Sequence, residues 1–214
     1  MQHPAGGSLW GVILLTAFFV VLVGGVAVLV AIAGTPVRRV VFLGLGAAAG
    51  AAAAFQVGHF VEHIAQAGHW LTHPGERPWM TPWGAALAAG LARLDAHNPA
   101  QGMELLHLIG NAIFLAGVLA LVLVARTVAA GGAAHRAARW CLWVQGAHVI
   151  EHMLLTATVA TGGKAIGLST MFGMLDPGPA LWTYRIWWHF AVNLVATALV
   201  LVAIRRLRPA RSPA

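Results

Sequence analysis

Two eight-residue segments of this 214-residue chain share one polar pattern. Gln56, His59, Glu62 and His63 are spaced Q-x-x-H-x-x-E-H, and Gln145, His148, Glu151 and His152 repeat that spacing. A second pattern, H-x-x-x-N, follows each copy: His107 with Asn111, then His189 with Asn193. Glu104 stands three residues before His107. Imidazole and carboxylate three or four residues apart share a helix face, where they can ligate one ion or bridge two. Inward-pointing Glu-x-x-His motifs hold di-metal centres in helix bundles. The candidate metal ligands are therefore His59, Glu62, His63, Glu104, His107, His148, Glu151, His152 and His189. Glu62 and Glu151 are candidate general bases. Gln56, Asn111, Gln145 and Asn193 are candidates for orienting ligand rings through their second nitrogen. This donor set suits one or two transition-metal ions, iron first, with copper or zinc as alternatives; a cluster without cysteine disfavours an iron–sulfur centre. Arg185, one turn before His189, is a candidate for binding an anionic group of the substrate. Its alternative is an interfacial arginine beside Trp182, Tyr184 and Trp187.

The elements that carry these residues are apolar stretches long enough to cross a bilayer, which takes roughly 20 residues. Five qualify: about Trp10–Ala33, 40–68, 103–125, 139–161 and 182–204. The motifs fall in the second to fifth, so stretches two and three resemble stretches four and five. The expected fold is a single all-α membrane domain over 1–214, a bundle of about five helices with this internal two-helix repeat. Gly46 and Gly50 in the second stretch permit close helix packing. Two long loops, 71–102 and 162–181, lie on the same side. In the first, Thr81, Pro82 and Trp83 read as a helix start; a short surface helix over Trp83–Leu94 and a plain loop are equally compatible with it. Counted up from the inner arginines, His59 and His107 lie ~28–30 Å along their helices and His148 ~13 Å. That mismatch argues against strict symmetry and allows two adjacent sites.

Composition agrees with a membrane protein. The chain is 59% hydrophobic and 9% charged, where a soluble domain carries about 25% charged residues. With so few charges a soluble fold could not cover its surface. Nine of thirteen basic residues (Arg38, Arg39, Arg126, Arg136, Arg139, Arg205, Arg206, Arg208, Arg211) fall on one side of a five-span layout. Basic loops face the cytoplasm, which puts the N-terminus outside, the C-terminus inside and the His/Glu cluster in the outer half. The net charge of +7 thereby belongs to helix ends facing anionic headgroups rather than to a nucleic-acid patch. The N-terminus has no basic segment before its apolar run, so it reads as a retained helix rather than a cleaved signal. The lone Cys141 excludes an internal disulfide. Ala-, Gly-, Arg- and Val-heavy usage points to a high-GC bacterial genome, hence a plasma membrane.

The H-x-x-E-H spacing is also that of inverzincin peptidases. More broadly, the chain resembles the histidine-rich membrane oxygenases, the desaturases and hydroxylases. Those families show H-x-x-H-H clusters on the cytoplasmic side. Here Glu replaces one His and the cluster lies on the outer side. The resemblance implies an oxidoreductase acting on an apolar or lipid-like molecule, entering laterally beneath the 71–102 loop, with a metal-dependent hydrolase as a variant. An electron-donor partner or a homo-oligomer would accompany it. Two other readings remain: a metal-ion or proton transporter using the His/Glu ladder, and a haem or quinone protein with His107 and His189 as axial ligands. His69, His73 and His97 read as solvated, and His3 and His135 as incidental.

Overall fold

The computed structural model describes residues 39–207, so the first apolar stretch, Trp10–Ala33, lies outside the described residues. Those described form five α-helices, two short 3-10 turns and no strand. Helix α1 spans Arg39–Thr72 and α2 spans Pro82–Ala92; α3 spans Gln101–Ala129, α4 Ala133–Ala160 and α5 Pro179–Arg206. The four long helices alternate in direction, and each packs on two neighbours in the cyclic order α1, α3, α4, α5. The α3–α4 link, residues 130–132, is short, while the α1–α3 and α4–α5 links run through the longer segments 73–100 and 161–178. Gly131, at φ +73°, ends α3 and turns the chain into α4 within a few residues.

Helix α2 forms where the sequence allowed either a helix or a loop. Thr81 is its N-cap and accepts a bond from the Gly84 N–H at 3.3 Å, while Pro82 occupies the first turn, where no amide donor is needed. It lies against α3 at Gly102, where a Cβ would overlap the backbone of Ala88 and Ala92. A 3-10 turn, Arg93–Asp95, continues from it.

Helices α1, α3 and α5 are each long and apolar enough to cross a membrane. Helix α4 is as long but less apolar, because it carries Gln145, His148, Glu151 and His152 as well as Arg136 and Arg139. Those four motif residues are buried, whereas Trp140, Trp143, Ile150 and Leu154 of the same helix are exposed. Val61 and Ile64 of α1 and Leu194 and Leu201 of α5 likewise point outward. A polar interior under an apolar surface inverts the soluble pattern and is consistent with a membrane protein.

Inside the bundle, the end nearer Arg39 and Arg206 is filled by Ala49, Ala52, Phe114, Val118, Leu121, Ala138, Ala196 and Val200. Helices α1 and α3 meet there so closely that a Cβ at Gly117 would overlap that of Ala52. A second apolar group, Leu108, Leu115, Val149 and Ala160, packs between α3 and α4. The polar residues of the repeated motifs occupy the bundle above the first plug.

Candidate metal centre

Six imidazoles from four helices form one contiguous cluster. His59 and His63 come from α1, His107 from α3, His148 and His152 from α4, and His189 from α5. Their ring contacts come in pairs that exchange one motif copy for the other. His59 and His63 have centroids 4.8 Å apart, and His148 and His152 4.6 Å. His59 lies 6.2 Å from His107, and His148 5.5 Å from His189. His63 stacks on His107 at 6.2 Å, as His152 does on His189 at 5.2 Å. Across the copies, His107 stacks on His152 at 5.2 Å and His63 on His189 at 5.7 Å. His107 and His189, 5.4 Å apart, lie at the centre.

The depth expectation fails here: both copies contribute to a single layer. Counting from Arg139 understates the height of His148, because α4 begins at Ala133, about 9 Å lower at the helical rise.

The ring nitrogens are sorted by their partners. His107 Nδ1 donates to the Met103 carbonyl at 2.9 Å, and His189 Nδ1 to the Arg185 carbonyl at 2.8 Å. His148 Nδ1 meets Glu151 Oε2 at 3.1 Å, and His63 Nδ1 meets Gln66 Oε1 at 3.0 Å. Each of these oxygens accepts, so Nδ1 carries the proton and Nε2 keeps its lone pair. Among the described residues, Nε2 of His148, Nε2 of His189 and both ring nitrogens of His152 are buried without a hydrogen-bond partner. One nitrogen from each of these three rings lies within 4.8 Å of the others. In the α1/α3 half, Nε2 of His63 accepts a hydrogen bond from the Nε2–H of His59 at 2.9 Å. Leaving a buried polar atom unpaired costs about 1–3 kcal/mol, and this layer contains four such nitrogens. Converging imidazole lone pairs, with the far nitrogen tied to an acceptor as in His148 and His189, are the arrangement in which histidines hold transition metals.

The carboxylates stand behind the rings. Glu151 Oε2 accepts from His148 and from Trp188 Nε1 at 2.9 Å, and its Oε1 accepts from the Ser169 amide at 2.6 Å. Glu62 accepts from the Thr81 amide at 2.9 Å, from the Thr81 hydroxyl, and from Gln66 at 3.4 Å. In each copy the following outer loop folds back to donate to the motif carboxylate. Glu104 Oε1 accepts from the Arg185 guanidinium at 2.8 Å, and Arg185 also lines the smaller of the two cavities that reach this layer.

The amides also differ from expectation. Gln56 Nε2 donates to Asn193 Oδ1 at 2.9 Å and to Thr197 at 3.2 Å, and Gln145 Nε2 donates to Asn111 Oδ1 at 2.8 Å. Asn111 and Asn193 donate to the carbonyls of His107 and His189. These four residues link glutamine of one copy to asparagine of the other and contact no ring nitrogen of the cluster in these bonds. Backbone carbonyls, Glu151 and Gln66 orient the rings instead. The sequence reading missed Thr81, Ser169 and Trp188. The first two carried a signal, standing 19 residues after Glu62 and 18 after Glu151. His69 and His73 stack on each other at the end of α1, away from the cluster, and His97 is exposed.

Two cavities reach the layer. One of about 490 Å³ lies between α1, α2 and α3 and ends on His59, Glu62, His63 and His107. A smaller one of about 220 Å³ meets it at His63, Gln66, Met80 and His107 and extends to Trp182, Arg185 and His189 of the α4/α5 half.

A family model matches residues 1–213 of the chain. The chain belongs to DUF6008, a family of unknown function. No curated protein and no solved structure matches it. The function of this DUF6008 member is therefore argued from its own residues.

Proposed function

We propose that the chain is a multi-pass membrane metalloenzyme, an oxidoreductase whose six clustered histidines hold two transition-metal ions and act on an apolar substrate. The observation that carries this reading is the set of buried, unpartnered ring nitrogens on His148, His152 and His189 converging within 4.8 Å, with Nδ1 tied off in four of the six clustered rings. His148, His152 and His189 form one ligand set, and His59, His63 and His107 its counterpart through an internal two-helix repeat. Three nitrogens about 2.0–2.1 Å from one ion stand ~3.4 Å apart. Drawing the α4/α5 set inward from within 4.8 Å asks for ring rotations rather than helix movement. Among the described residues, Glu62 and Glu151 have both oxygens engaged and Glu104 keeps one oxygen unpartnered, so the donors are mainly imidazoles, which suit copper, iron and zinc. Copper or iron would supply redox chemistry. Glu151 then holds a ligand in its tautomer, and Glu62, which lines the larger cavity, is the group placed to move a proton.

The proposed topology has five spans, counting Trp10–Ala33, with the N-terminus outside, the C-terminus in the cytoplasm and the metals in the outer half of a bacterial plasma membrane. The apolar plug between the cluster and the inner helix ends favours an enzyme over a transporter, because a translocation path needs polar lining.

Elemental analysis of purified protein tests the reading. Two ions per chain are expected, with an absorption or paramagnetic signature. His148→Ala, His152→Ala and His189→Ala should each reduce that content. A chain holding only trace metal, with a melting temperature that added copper, iron or zinc does not raise, would overturn it, since binding to the native state must stabilise that state.

A further inference from the structure

The two halves of the cluster are built alike but are not reached alike. The 490 Å³ cavity ends on His59, Glu62, His63 and His107, all from the α1/α3 half. Its walls are apolar: Phe55, Leu91 and Ile109, with Trp83, Leu87 and Ile113 at the rim. Phe55, Trp83, Leu87 and Ile113 are themselves between 41% and 53% exposed, so the mouth opens sideways onto the apolar outer surface rather than toward an aqueous loop. Gly58 and Gly110 keep it open. A Cβ on Gly58 would meet nothing within 4 Å, and one on Gly110 would stand 3.5 Å from the Phe55 ring.

The same position in the other half is closed. Glu151 is covered by Ser169 and Trp188, and Leu155, in the place of Gln66, is fully buried against Gly167. His148, Glu151 and His152 are each 2% exposed or less. The Gly58 position holds Ala147.

We propose that this cavity binds the hydrocarbon chain of a lipid-like substrate, entering from the bilayer between α1 and α3 beneath α2 and reaching the layer at His59, His63 and His107. The walls call for a hydrocarbon. Glu62, their one carboxylate, already has both oxygens engaged by Thr81 and Gln66, so no cation or polar headgroup is needed inside. A mouth set in the apolar surface admits a solute already dissolved in the membrane, and a ligand largely buried in a pocket of this size gains its affinity from apolar contact. The inference takes its chemistry from the metalloenzyme reading, but the cavity itself is built of apolar side chains and does not require the metal.

The test is photolabelling of the full chain in lipid nanodiscs with a palmitic acid carrying a diazirine at its methyl end. Labelled peptides are then mapped by mass spectrometry. Label should concentrate on 55–66 and 103–113 and spare 145–156. Leu91→Trp fills the cavity from the α2 side, and Gly110→Leu fills it from α3, beside Phe55 and His59 Nδ1. Each should cut that labelling at least tenfold while a monodisperse, folded protein keeps its metal. Gly146→Leu, on α4 outside the cavity and at a position where a Cβ meets nothing within 4 Å, should change neither. Label spread over every outward-facing helix, or focused label that neither filling variant reduces, would overturn the proposal. Focused label on a protein that holds no metal would keep the chain site and remove the metalloenzyme reading. Two ions per chain with unfocused label would do the reverse.

Discussion

Glu151 gathers three donors, from Ser169, Trp188 and His148, onto two oxygens. Glutamine in its place offers one acceptor and one NH2 group, which must then face a donor. Glu151→Gln should therefore lower metal affinity about 10–100-fold, the range for partners that orient a ligating histidine. Competition with a chelator measures this, and His135→Ala, at the exposed start of α4, should leave affinity unchanged. Gln145 tells a different story at the same scale. Its amide is fully buried and bonded to Asn111, with no link to a ring of the cluster in those bonds. Gln145→Leu leaves the Asn111 side-chain oxygen without its donor and should cost about 1–3 kcal/mol of stability. Thermal unfolding in detergent reads that loss, and the metal sites should still fill at low temperature.

At the scale of elements, the outer loops are more than connections. Thr81 caps α2 and bonds Glu62 of α1 through both its amide and its hydroxyl, so one residue fixes the helix end and its seat over the cavity. Thr81→Val removes the hydroxyl, and losing such a cap costs about 0.5–2 kcal/mol. Hydrogen exchange over Pro82–Ala92 should accelerate correspondingly while α4 stays protected; equal protection in the variant would mean that the cap does not hold α2. Gly102 makes a parallel case. Gly102→Val would press on the backbone of Ala88 and Ala92, and overpacking of this kind costs about 1–3 kcal/mol. Proteolysis in the 73–100 segment should then begin earlier than in the parent protein.

For the whole molecule, the proposed orientation rests on where the arginines fall. In a Cys141→Ala background, a cysteine at Pro74 or Gly178 should react with a membrane-impermeant thiol reagent added outside, and one at Gly132 should not. The opposite pattern would invert the bundle and place the cluster in the cytoplasmic half. Much of this architecture is legible in the sequence. The stretches read as 40–68, 103–125, 139–161 and 182–204 appear as Arg39–Thr72, Gln101–Ala129, Ala133–Ala160 and Pro179–Arg206. Apolar runs bounded by Gly, Pro and Arg leave the backbone little alternative to helix. The repeated motifs also place their histidines on single faces, because helical spacing is a local property. Position along a shared axis is not local. It depends on where each helix starts relative to its neighbours, which is why His148 joins His59 and His107 in one layer despite the count from Arg139. Pairings such as Gln56 with Asn193 and Arg185 with Glu104, 137 and 81 residues apart, depend on the cyclic order of the helices, and no spacing along one chain encodes that order. The sequence alone thus determined the helices, their polar faces and the residue types able to hold a metal. Tertiary structure decided which nitrogens meet, that the carboxylates orient rings and loops, and that the larger cavity ends on His59, His63 and His107 while His148 and His152 line neither cavity, because those outcomes depend on side chains brought together from different helices.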